Sequence, residues 1–150
     1  MAFCRISDRP IRLREPVAQP NVLIIQDPTL LRQPGLFDGL QSGGWVLINS
    51  ARNLDELGIG SHFRELPPQH VVTVPATELA LRYVGRPLPN STLLGAFAAM
   101  TGELRLESVL AAIRQKFAGK VGESNAVAAQ AAYDLISHSE KQEQIHVETN

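Results

Sequence analysis

The sequence predicts an α/β fold: an open, mainly parallel sheet followed by a helical C-terminal portion. Two patterns carry that expectation. Val22–Ile25, Trp45–Ile48 and Val71–Val74 are short, continuous apolar runs set between turn residues. Such runs suit strands buried on both faces of a parallel sheet. From Glu78 onward the apolar spacing changes to that of helices, with small residues throughout. The chain has 150 residues, 44% hydrophobic and 19% charged, the size and composition of one soluble domain with a real core.

Taken in order, Ala2–Ser7 is a β-prone run closed by a turn at Asp8-Arg9-Pro10. Val22–Ile25 follows, then a turn-rich connection, Leu30–Leu40, interrupted by Pro34-Gly35. Gly43-Gly44 leads into the second strand. The Arg52–Leu66 connection holds a helical turn at Leu54–Leu57 and precedes the third strand. Glu78–Val84 reads as a first helix. Pro87 and Pro89 then stiffen a linker, and Asn90 or Ser91 can cap the next helix, Thr92–Thr101, which stops at Gly102. Gly95 lies one turn inside that helix, where glycine costs roughly 1 kcal/mol relative to alanine, so a close neighbour is expected there. Leu106, Val109, Leu110, Ile113 and Phe117 share one helical face, and Val121, Ala128, Ala132, Leu135 and Ile136 mark a final alanine-rich helix. Ser139–Asn150 is polar and reads as a tail.

Composition excludes several classes of function. A net charge of -1 gives no electrostatic footprint for nucleic acid or an anionic membrane. No apolar run reaches the ~20 residues of a membrane span, and no signal-peptide core opens the chain, so the cytoplasm is expected. Cys4 is the only cysteine; it cannot form a disulfide within the chain or hold an iron–sulfur cluster, and it reads as a small buried residue. His62, His70, His138 and His146 lack metal-ligand spacing. No nucleophile elbow, carboxylate pair or phosphate-cradling glycine loop occurs, and Gly58-Ile59-Gly60 lacks the strand and the spacing of a dinucleotide fingerprint.

Ligands of open parallel sheets bind outside the carboxyl ends of the strands. Compact polar residues stand at all three ends: Asp27 and Thr29, Asn49 and Ser50, and Thr77. They either cap the following connections or converge on a crevice for a cofactor tail or a partner loop. Arg5, Arg12 and Arg14 form a loose basic cluster, open to a solvated role or to contact with an anion or an interface.

Five segments also carry a resemblance. They are Phe3-Cys4-Arg5-Ile6-Ser7-Asp8 with Pro10-Ile11, Asp27-Pro28-Thr29-Leu30-Leu31, Pro75–Ala80, Gly85–Phe97, and Leu106–Phe117 with Gly119-Lys120. In that order, over about residues 3–136, they resemble the gamma subunit, or gamma-type domain, of the 2-oxoacid:ferredoxin (pyruvate synthase) oxidoreductases. The resemblance implies a Rossmann-like sheet and a domain spanning 1–137, with 138–150 a disordered tail. It implies a subunit of an enzyme that oxidatively decarboxylates a 2-oxoacid, forms acyl-coenzyme A and reduces ferredoxin. Alpha, beta and ferredoxin-like delta partners would carry the thiamine diphosphate, magnesium and 4Fe-4S clusters, with no catalytic residue and no bound cofactor on this chain alone. The chain would contribute to assembly and to the coenzyme A approach, while Asp27, Thr29, Asn49, Ser50 and Thr77 stand as the cofactor-binding residues of the strand-end crevice. Asn90, Thr92, Gly95 and Phe97 would form a packing surface for partners. The family's usual glycine-rich βα unit has no counterpart here, since Met1 stands directly before the Arg-Ile-Ser-Asp run. The domain is therefore expected to be incomplete at its N-terminal side, with an open sheet edge and marginal stability alone. A stand-alone Rossmann-like binding or regulatory module is the alternative.

Overall fold

A computed structural model describes residues 1–148, with side chains through residue 139. Three strands, β1 (Val22–Ile25), β2 (Trp45–Asn49) and β3 (Val71–Val74), form one sheet in the order β1-β2-β3. Both pairings are parallel: Val22 to Ile25 lie opposite Trp45 to Ile48, and Val46 to Asn49 opposite Val71 to Val74. Helices α1 (Ala76–Val84), α2 (Asn90–Thr101), α3 (Leu106–Lys116) and α4 (Gly119–Glu148) follow. The expected α/β class, the three strands and the helical second half are all present.

The two faces of the sheet are covered differently. Leu47 and Val74 meet Leu93, Ala96, Phe97 and Met100 of α2 and Ala132 and Ile136 of α4. On the other face Ile25, Val46, Ile48 and Val71 pack against Ile59 and Phe63, with Leu30, Leu31, Leu36 and Phe37 from the connections around them. Strand β2, central and paired on both sides, therefore alternates its side chains between two apolar layers, as a buried parallel strand must. At the opposite end of the sheet from the α2 N-terminus, the His70 ring stacks on Trp45 with centroids 3.6 Å apart, and its Nδ1 lies 2.9 Å from the Gly43 carbonyl.

Helix α2 is the hub of the helical layer. Its buried residues run all round it, since the sheet lies on one side and α3 and α4 on the others. Gly95 has the close neighbour that its position called for: a Cβ there would overlap the carbonyl oxygen of Ala129 in α4. That neighbour belongs to the same chain. Thr92, Gly95 and Phe97, expected on a surface for partners, are buried within the domain. Gly102 ends α2 in the left-handed conformation, donating its N–H to the Ala98 carbonyl.

Four further expectations need correction. Ala2–Ser7 is not a strand: no backbone partner lies alongside it, and a lone strand has no ladder to hold it. Cys4 is consequently exposed rather than buried. Neither Asn90 nor Ser91 caps α2; Pro89 takes that position without a side-chain bond, and Asn90 turns to Gln26. The polar stretch beginning at 138 continues α4 as helix through Glu148; residues 149–150 lie outside the described part.

The α2–α4 contact yields a test. Gly95→Ala is expected to cost about 2–3 kcal/mol through overpacking of two backbones, read from urea unfolding followed by circular dichroism. An unchanged midpoint would show that the helices do not meet at Gly95.

Candidate functional site

Because all three strands run in the same direction, their carboxyl ends stand side by side with the N-terminal turns of α1 and α2. Asn49 is the brace of this region. The residue is 7% exposed. Nδ2 donates to the Gln26 carbonyl at 2.9 Å and to Thr77 Oγ1 at 2.8 Å, while Oδ1 accepts from the Thr77 N–H at 3.1 Å. One amide thus ties the end of β1 to the first turn of α1 through the end of β2. Gln26 extends the chain of contacts, its Nε2 donating to Asn90 Oδ1 at the start of α2 at 2.7 Å. The Ser50 N–H closes on the Val74 carbonyl at 2.9 Å.

The other expected site residues are occupied locally. Asp27 Oδ1 accepts from both the Thr29 N–H, at 2.9 Å, and the Thr29 hydroxyl, at 2.7 Å, capping the short helical turn Pro28–Arg32. The hydroxyl bond first, and the backbone bond second, hold the Asp27 carboxyl below its ordinary value. Ser50 Oγ accepts from the Arg52 N–H at 3.0 Å. The structure therefore joins Asn49 and Thr77 directly, adds Gln26 and Asn90, and leaves Asp27–Thr29 and Ser50 as adjoining caps. Gln26 was not evident from sequence, although it too follows an apolar run at a strand end. Its partner Asn90 is far along the chain, and no local pattern connects them.

Thr92 Oγ1 is the exception, a buried hydroxyl oxygen without a hydrogen-bond partner in the first turn of α2. Among the described residues no group of three or more His, Cys, Asp or Glu is placed to hold a metal. The set also does not fit a thiamine diphosphate–magnesium site or an iron–sulfur cluster. Asp27 is engaged by Thr29, Glu78 stands exposed in the first turn of α1, and the single cysteine is in the N-terminal segment. The arrangement can brace strand ends and offer hydrogen bonds; it has no paired acid and base for proton transfer. No helix of the described residues is long and apolar enough to cross a membrane.

Fold and site together define an open-sheet α/β domain whose polar strand ends serve mainly its own architecture. The chain belongs to the pyruvate ferredoxin/flavodoxin oxidoreductase family, whose model matches residues 1–135. Over 139 residues it is 40% identical to the pyruvate synthase subunit PorC of Methanothermobacter marburgensis, covering 93% of this chain and 73% of that one. It is 38% identical over 133 residues to the pyruvate/ketoisovalerate oxidoreductases common subunit gamma of Thermococcus kodakarensis, covering 89% and 70%. The crystal structure of the pyruvate oxidoreductase subunit PORC from Thermotoga maritima superposes with a TM-score of 0.66 at 28% identity. That match covers 79% of this chain and 64% of the Thermotoga chain, less than two thirds of its length.

Two outcomes follow from the site. Asn49→Ala is expected to cost about 2 kcal/mol, because the Thr77 N–H loses its acceptor beneath the surface; chemical denaturation measures it. Asp27 has a lowered folded pKa. Its contribution is thus present above the unfolded carboxylate value of about 3.9 and is lost as pH falls through the folded value. Asp27→Asn should accordingly flatten the acid limb of a stability–pH curve below pH ~4; a limb identical to that of the parent chain would refute the Thr29 cap.

Proposed function

We propose that this chain is a non-autonomous gamma-type subunit of a 2-oxoacid:ferredoxin oxidoreductase. The observation that carries the reading is the family match over residues 1–135, joined to relatives that are themselves subunits of such enzymes. In the assembled enzyme a 2-oxoacid would be oxidatively decarboxylated, its acyl group passed to coenzyme A and the electrons to ferredoxin. Thiamine diphosphate, magnesium and 4Fe-4S clusters would reside on alpha, beta and ferredoxin-like delta partners.

This chain's own work is positional. The Asn49 brace fixes the relation of β1, β2 and α1, while the α2–α4 contact fixes the helical layer behind them. At the rim, Gln26, Asp27 and Asn90 remain exposed and are the groups able to touch coenzyme A as it approaches. Asn49 and Thr77 act behind them, with their hydrogen bonds already made. The alternative, a free nucleotide-binding module, lacks a glycine-rich cradle for phosphates, and no observation favours it.

Anaerobic purification of the tagged chain from its host tests the proposal. The expected result is recovery of larger thiamine-binding and ferredoxin-like partners, iron–sulfur absorbance, and dye reduction that requires both a 2-oxoacid and coenzyme A. Recovery of a colourless, inactive single chain would overturn it.

A further inference from the structure

We draw no further inference here: the strongest candidate, the first turn of α2 beside the rim residues Gln26 and Asn90, is a helix N-terminus whose unpartnered side-chain oxygen, Thr92 Oγ1, is sealed inside the domain and so points to no ligand.

Discussion

The arrangement of this domain rests on a contact between two backbones. Gly95 lets α2 come so close to α4 that no side chain fits between it and the Ala129 carbonyl. That approach places Leu93, Ala96, Phe97 and Met100 of α2 over the sheet together with Ala132 and Ile136 of α4. It also brings Ala98 against Ala126 and Ala129, where Val109 and Ile113 of α3 complete a second cluster. The abundance of alanine in α4 follows from the same constraint. Larger side chains would hold the helices at the ordinary spacing and lift one of them off the strands.

The polar edge of the sheet depends on that placement. With α2 seated, its first turn reaches the end of β1, and Gln26 can bond Asn90. Asn49 then joins β1 to α1 without a water or charge between them. Residues that a sequence reader associates with ligands are thereby used to hold strand ends in register.

What could be read from sequence was the part determined locally. Val22–Ile25, Trp45–Ile48 and Val71–Val74 marked the three strands, although only β2 is covered on both faces and Ile24 of β1 stays exposed, and Gly102 marked the end of α2 correctly. Ala2–Ser7 also reads as β-prone, yet a strand exists only where a neighbour supplies the other half of its ladder, and no residue within the run specifies that neighbour. Gly95 announced a close approach but not whether the approaching backbone was internal. The polar site divided in the same way. Asp27 was legible because its cap, Thr29, is two residues away; the Gln26–Asn90 bond was not, because it is made by folding rather than by spacing.

The unequal covering of the sheet has an evolutionary consequence. On the α2 and α4 side, each core position is shared by helices that also pack on one another, so a change there propagates through three elements. On the other side, leucines and phenylalanines from turn-rich connections form the cover. Each of those segments can lengthen, shorten or exchange its apolar residues without moving a helix. Divergence among relatives should therefore accumulate on one side of the sheet, leaving the helical side as the slowly changing record of common descent.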